Sequence, residues 1–475
     1  MKKNITGRLL LIVCCMLFAA TKLQGQTEMN DKTLSPESFS EIVRAYHPVA
    51  KMAGITVEKA KAGVTIARGL FDPVFYSSNA QKTFDGTEYY NYNRPELTIP
   101  TWYGITLSTG LEYLSGTRTD PQETAGKSSY AGISVPLAKN LLMDKRRATL
   151  LTAKISRDAS QAERRALLND LMYEALTAYW LWVQYYENFR LLTEAVTVNT
   201  KRLELVRTAV RQGDRPAIDS TEAMTQLQQF LLQQSEAAVA FQNQGLELST
   251  YLWNEKGDPV LLPDGVLPAV SIQRTDLLNY PVADSSRLLD SALSVHPELQ
   301  QYRFKLKSLA VEKKLKFQEL LPTVNFRYNQ LGKDYTMLKT VTGPLFENNF
   351  QYGLTLGLPL RFSQGRGEYK QARLKIMETS LQQDMKQVSI LNKMRAVYND
   401  IRALQEQDRV QSGAVRNFEA LQRGEETRFM AGESSLFLVN ARENKTLEAR
   451  QKLAAIKTKY MQKQAALFWS AGLLQ

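Results

Sequence analysis

Two copies of one pattern lie 249 positions apart in this 475-residue chain, and that duplication limits its possible folds more than any other feature. His47-Pro48 returns as His296-Pro297, and the corner Leu70-Phe71-Asp72-Pro73 as Glu319-Leu320-Leu321-Pro322. Tyr103-Gly104-Ile105-Thr106-Leu107 returns in the same register as Tyr352-Gly353-Leu354-Thr355-Leu356. Repeats of a few tens of residues build solenoids, whereas one duplication this long doubles a whole structural unit. Each copy reads as a helix, a strand region opened by proline, and then very long helices. The first copy takes residues 26–255, a linker or equatorial segment 256–283, and the second copy 284–475.

The start of the chain predicts export. Lys2, Lys3 and Arg8 precede the apolar run Leu9–Ala20, and Gln24-Gly25-Gln26 offers a small residue for cleavage, so residues 1–25 read as a secretory signal too short to span a membrane. The whole chain carries a formal +12, and residues 26–475 retain +8 of it without a Lys/Arg block. That surplus reads as a mixed solvated surface, not a nucleic-acid track. Both cysteines, Cys14 and Cys15, fall inside the signal. The exported chain is therefore expected to carry no disulfide and no N-terminal lipid, so a large core or an assembly must stabilise it.

Beyond the signal no stretch reaches the roughly 20 apolar residues of a spanning helix, so any membrane crossing must use strands. Candidates are present. Val324, Phe326 and Tyr328 alternate with Thr323, Asn325 and Arg327, and Tyr352, Leu354, Leu356, Leu358 and Leu360 alternate with small or polar residues. Ile133, Val135 and Leu137 do the same, as do Ile105, Leu107 and Leu111. A barrel wall needs one apolar and one polar face, but a half-buried soluble sheet has the same period. The first copy offers three strand regions within 74–137, near Val74–Phe84, Thr101–Leu114 and Tyr130–Leu137; the second offers strands within 322–360. Crossings must be even in number, so one of the three is expected to be an outer loop or a strand extension.

The helices are long. From Asp144 to Gln212 there is neither glycine nor proline, enough for roughly 100 Å of helix at about 1.5 Å per residue. Leu151, Ile155, Ala159, Ala162, Ala166, then Leu171, Ala175, Ala178 and Trp182, form a coiled-coil-like seam. The second copy matches from Glu368 through Ser412 towards Met430, with Gly413 and Gly424 inside. Gln212-Gly213-Asp214 and Ala431-Gly432-Glu433 then turn each chain into a returning helix, Ala217–Gln244 and Glu433–Ala471. Each copy is thus a long antiparallel hairpin, spanning 144–255 and 368–471, with tips near 213 and 432. A few strands cannot close a barrel alone, and lipid does not tolerate open edges, so several chains must share one.

The His296-Pro297-Glu298-Leu299-Gln300 start, the Val135-Pro136-Leu137 and Leu358-Pro359-Leu360 strand ends, and the tip Phe429-Met430-Ala431-Gly432-Glu433-Ser434-Ser435 resemble TolC-like outer-membrane factors, the outer membrane efflux protein family. The resemblance covers nearly the whole exported chain. It implies a tandem-duplicated protomer of coiled-coil hairpins plus about four β-strands, trimerising into a shared 12-stranded β-barrel and a periplasmic α-helical tunnel. It also implies the outer membrane of a Gram-negative bacterium and a passive duct for efflux or type I secretion. Partners would be a periplasmic adaptor, an inner-membrane pump of RND or ABC type, and outer-membrane lipid, with no nucleic acid. The alternative is a soluble periplasmic coiled-coil scaffold, which leaves the strands unexplained.

The same resemblance places adaptor docking at Gly213, Asp214, Gly432 and Glu433. Some relatives carry acids at the inner mouth where this chain has Leu438 and Ala441; the first-copy counterparts are Asp219 and Glu222. An apolar constriction at Leu436, Phe437 and Leu438 competes with an acidic ring, and Asp219 and Glu222 also suit a helix N-terminus. No catalytic, cofactor or metal constellation emerges. His47 and His296 both precede proline and read as helix starters. Gly365-Arg366-Gly367 reads as a strand-to-helix corner, and the aromatics Tyr173, Tyr179, Trp180, Trp182, Tyr185, Tyr186 and Phe189 as seam and equator packing.

Overall fold

The computed structural model describes residues 33–117, 124–263, 265–272, 275, 277, 285–335 and 349–474. The expected signal, both cysteines and parts of the 256–283 linker lie outside them. In chain order the described elements are β1 (Thr33–Leu34), α1 (Pro36–Tyr46), α2 (Pro48–Gly69), β2 (Val74–Phe84), β3 (Thr87–Pro100), β4 (Thr106–Ser115) and β5 (Gly126–Pro136). They continue with α3 (Lys145–Gln212), α4 (Ala217–Ser249), β6 (Leu267–Pro268), α5 (Ser285–Val295) and α6 (Pro297–Phe317). The last are β7 (Thr323–Lys333), β8 (Phe350–Gly357), α7 (Ser363–Met430) and α8 (Leu436–Ser470).

The helix starts follow local chemistry. Ser35 and Ser38 form a reciprocal capping box at α1. Asp144 caps α3 by accepting the Arg147 amide at 2.8 Å. Without glycine or proline to interrupt it, α3 then runs 68 residues. α7 is equally long and passes through Gly413 and Gly424 without a break. Gly365 and Gly367, expected at a corner, lie inside the first turns of α7. The helix begins earlier than proposed because Gly365 lets it pack on the backbone of Glu319, where a Cβ would lie 2.5 Å from the carbonyl oxygen.

Two compact units result, and both copies contribute to each. The first unit holds residues up to 47, 174–281 and 402–463; the second holds 48–173, 282–401 and 464–475. In the first unit Tyr179 and Trp182 are fully buried; Tyr179 stacks on Phe39 and donates to the Leu34 carbonyl at 2.8 Å, and Trp182 stacks on Phe241. These aromatics are therefore packing residues, as the seam reading expected. In the second unit Val64, Ala67, Phe71 and Leu150 join α2 to α3, and Ala292, Leu299, Ile390, Met394 and Ala471 form another core.

The second unit also holds a six-stranded antiparallel sheet in the order β2-β3-β4-β5-β7-β8. About four strands were expected, and three in the first copy; the structure adds β3 over Thr87–Pro100, which satisfies the even-number rule with four. β3 escaped the sequence reading because Pro95 and a run of Tyr and Asn conceal its alternation. The 249-residue register holds from β2 to β7 but not beyond. Tyr103 falls in the β3–β4 turn and Tyr352 within β8, while Gly213 and Gly432 are only 219 apart. The first copy therefore carries one extra hairpin's worth of chain. β8 ends at Gly357, so Leu358 and Leu360 lie past the strand.

His296 starts α6, as expected: its Nδ1 accepts the Glu298 amide at 3.2 Å and Pro297 occupies the first turn. Burial pushes its pKa below the usual 6.5, Lys386 and Lys393 push the same way, and Glu298 and Asp170 oppose them. The folded imidazole is thus neutral, which the cap requires, since a protonated Nδ1 cannot accept. Between the lowered folded pKa and the ordinary value the unfolded chain binds the extra proton, so stability rises with pH there. Lowering pH below about 6.5 should therefore destabilise the α6 end. His296→Asn, which keeps a cap acceptor, should flatten that dependence in thermal unfolding between pH 5 and pH 7.

Candidate functional site: the hairpin tips and the sheet faces

The two hairpin tips lie in the first unit and close alike. Gly213 and Gly432 adopt φ of +83° and +78°, where a side chain is strained. Each glycine amide reaches back three residues (Gly213 to Val210, Gly432 to Phe429), and the next amide reaches back five (Asp214 to Ala209, Glu433 to Arg428). That pair of bonds is the Schellman closure of a helix C-terminus. Asp214 and Glu433 are both exposed just past it.

The four helix ends around the tips pack on one apolar cluster of Leu203, Val206, Ala223, Leu227, Phe429, Leu436 and Val439. Leu436, expected at a constriction, is 1% exposed and belongs to this core, because α8 begins there and the helix turns that side chain inward. Phe437 and Leu438 point outward instead, 68% and 41% exposed, and Ala441 is exposed as well.

Polar bonds clasp one hairpin to the other. Arg215 donates to the Phe429 carbonyl at 2.6 Å, lies 3.6 Å over the Phe429 ring and pairs with Asp219 at 3.3 Å. Asp219 thus meets a cation of its own helix start. Asn440 donates to Glu222 at 3.3 Å. Burial raises the Glu222 pKa, the Asn440 bond opposes this, and the neighbouring Asp219 charge adds to the rise. Farther along, Arg202 bridges Glu443 at 2.6 Å and Glu426 at 3.1 Å, and Asn199 donates to Glu443 at 2.9 Å. Sequence reasoning missed Arg202 and Glu443, which sit 241 residues apart and carry no motif.

In the second unit the sheet register sorts the strands into two faces. Leu107, Ile133, Tyr328 and Tyr352 form one cross-strand row, and Val135, Phe326 and Leu354 another, both on the same face. Tyr352, Leu354 and Leu356 are strongly exposed on it. The opposite face carries Gly110, Gly132, Thr355 and Gly353, together with Arg94, Glu96, Glu112 and Arg327. Arg94 there lies 3.4 Å from both Glu96 and Glu112 and donates to the Tyr130 hydroxyl at 3.1 Å. Such a sheet is suited to separate an apolar medium from an aqueous one. No described helix is long and apolar enough to cross a membrane.

Residues 288–473 match the outer membrane efflux protein family. No curated protein sequence matches the chain. The fold is shared with solved structures at low identity. The outer membrane protein VceC of Vibrio cholerae is 16% identical with a TM-score of 0.64, over 92% of this chain and 96% of that one. The CmeC outer membrane channel of Campylobacter jejuni gives 16%, 0.62, 92% and 86%. The MtrE outer membrane channel of Neisseria gonorrhoeae, in its open state, gives 15%, 0.64, 93% and 89%.

The clasp makes a quantitative expectation. Arg202→Ala leaves Glu443 buried without its cation, which should cost about 3–5 kcal/mol. Hydrogen exchange should then rise selectively at the ends of α3 and α8. The double replacement Arg202→Met with Glu443→Leu should recover most of the loss. Equal exchange in Arg202→Ala and the parent would show that the pair is not stabilising.

Proposed function

With residues 288–473 similar to the outer membrane efflux protein family and the whole fold that of outer membrane channels, we propose that this chain is the outer-membrane channel protomer of a tripartite efflux or type I secretion system. Copies of the chain share one β-barrel in the outer membrane, and the paired helical hairpins line a tunnel in the periplasm. The observation that carries this reading is the sheet, with one exposed apolar face, one polar face and two edges that lack a strand partner among the described residues. Lipid forbids such edges, so the chain needs other copies. Homotrimer is the assembly that the resemblance supports. The duct is passive: substrate is driven by an inner-membrane pump and handed over by a periplasmic adaptor. A soluble scaffold has no use for an apolar sheet face. Fractionation tests the reading, since the protein should sediment with the outer membrane, need detergent and emerge as a trimer by light scattering.

The adaptor docks at the tips around Gly213, Asp214, Gly432 and Glu433. The positive φ of Gly432 supports this division of labour, because a substitution there strains the turn without entering a core. Gly432→Val should leave the trimer intact, lower efflux and weaken cross-linking to the adaptor. Loss of the trimer with adaptor binding unchanged would remove the tips from that role.

The inner mouth is narrowed by apolar side chains, with Phe437 and Leu438 outward, Ala441 beside them and Leu436 behind as core. Asp219 is paired with Arg215 and Glu222 is held by Asn440, so neither presents a bare charge. An apolar ring blocks ions by dewetting. Leu438→Ser should raise conductance in planar bilayers more than Asp219→Asn does. The reverse order would favour an acidic gate.

A further inference from the structure

The end of the sheet at which the helices begin carries a surface with a chemistry of its own. Four connections meet there: the β3–β4 turn at 101–105, the link from β5 to α3 at 137–144, the link from α6 to β7 at 318–322, and the link from β8 to α7 at 358–362. The Arg147 guanidinium ties the first two. It donates to the Asn140 and Leu141 carbonyls at 2.6 and 3.0 Å, and a Cβ on Gly104 would lie 2.7 Å from its Nη2. Trp102 of the turn stacks on Phe71, at the corner before β2, at 4.2 Å. The Lys139 amide bonds the Pro322 carbonyl, and Gly365 packs on the Glu319 carbonyl, which joins the other two links to the first pair. All of this rim lies in the second unit.

The acids of the rim are mostly engaged. Asp144 pairs with Arg147 at 3.4 Å, Glu319 with Lys139 at 2.6 Å and Glu368 with Lys316 at 2.9 Å. Lys145, Arg146, Arg361 and Arg366 are exposed, and none has an ion-pair partner among the described residues. Against these four cations the described rim exposes one acid, Asp72. Beside them stand exposed Trp102, Tyr103 and Leu142, and Leu360 is 93% exposed. Both links that leave the sheet for a long helix repeat one order: leucines first, at 141–142 and at 358 and 360, then the cations, at 145–146 and at 361 and 366. Leu137, whose amide bonds the Val324 carbonyl, continues the apolar face of Ile133 and Val135 down to this rim.

We infer that the rim binds the headgroups of anionic phospholipid in the periplasmic leaflet, with the four cations on the phosphates and the aromatic and leucine side chains at the boundary with the acyl chains. The inference rests on the outer-membrane reading above and adds to it a lipid class and a site. Tryptophan and tyrosine favour the level of the headgroups, where an apolar ring and a polar edge are both accommodated. Lysine and arginine near that level attract net negative lipid, whereas a zwitterionic headgroup offers its own ammonium beside the phosphate. A second copy of the chain is the poorer occupant, because its rim would bring four more unpaired cations and a single exposed acid.

Trp102 reports on the site, being the one tryptophan of five on the rim. The full chain is reconstituted in mixed phosphatidylcholine–phosphatidylglycerol bilayers in which one lipid or the other carries brominated acyl chains. Quenching of Trp102, isolated by subtracting the signal of Trp102→Phe, gives the relative affinity of the two lipids. Phosphatidylglycerol should be preferred about fivefold, the effect of a headgroup meeting one cation, and the preference should shrink in high salt. The quadruple variant Lys145→Gln, Arg146→Gln, Arg361→Gln, Arg366→Gln should abolish it, and the charge-keeping set Lys145→Arg, Arg146→Lys, Arg361→Lys, Arg366→Lys should retain it. Lys82→Gln with Lys127→Gln, at the other end of the strands, should leave it unchanged. Equal affinity in the parent, a preference that survives the quadruple variant, or one lost with Lys82 and Lys127 overturns the lipid site, while a trimer inserted in the bilayer leaves the channel reading standing. A quadruple variant that turns monomeric in detergent makes the rim a contact between copies and overturns the lipid site as well. A parent that never enters bilayers and shows no quenching overturns both readings.

Discussion

Every strand of the six-stranded sheet carries backbone donors and acceptors that must be paired where water is absent, and much else in this chain answers to that requirement. Within one copy, five antiparallel ladders give each of the four inner strands a partner on both sides and leave the outer rows of β2 and β8. An apolar face with open edges is unstable in lipid and prone to aggregation in water. On the shared-barrel proposal, assembly is part of folding and not a later event. The absence of cysteine from residues 26–475 fits that arrangement, because stability comes from buried surface and paired edges.

The helical hairpins follow a different logic. Their backbones are satisfied internally, so side chains decide how they associate. In the first unit an apolar cluster brings the four helix ends around the tips together, and charged groups set the register between them: Arg215 on Phe429, Asn440 on Glu222, Arg202 between Glu426 and Glu443. These bonds connect the two sequence copies to each other. A change that separates the hairpins must break several at once, and their cost lies mainly in stranding buried charge. The tips are controlled by bonds to neighbouring helices as much as by their own turns.

Duplication allowed the two copies to diverge. Among the described residues the first copy has four strands of the sheet and the second two, and the offset between copies falls from 249 before the strands to 219 at the tips. The helices tolerated this because each begins afresh from its own cap. The sheet could absorb the difference because two strands at once preserve the alternation of direction. A single added strand would have sent the following helix to the opposite side.

Much of the architecture was legible in the residues. Glycine- and proline-free runs dictated α3, Gly213 and Gly432 marked the turns because only they accept positive φ cheaply, and period-two alternation located β4, β5, β7 and β8. Proline after His47 and His296 marked helix starts. What the sequence could not decide depended on groups distant in the chain. β3 was hidden because its polar and aromatic residues are ordered by ladders to β2 and β4, not by a pattern of their own. Leu436 read as a constriction residue, yet the first turn of α8 directs it into the core, since helix phase and not residue type determines which face is buried. Asp219 suited either an acidic ring or a helix N-terminus, and its pairing with Arg215 depends on the folded turn, while Arg202 with Glu443 had no local signature. Local propensity and periodicity are written along the chain; partnership across 200 residues is decided only when packing brings the partners together.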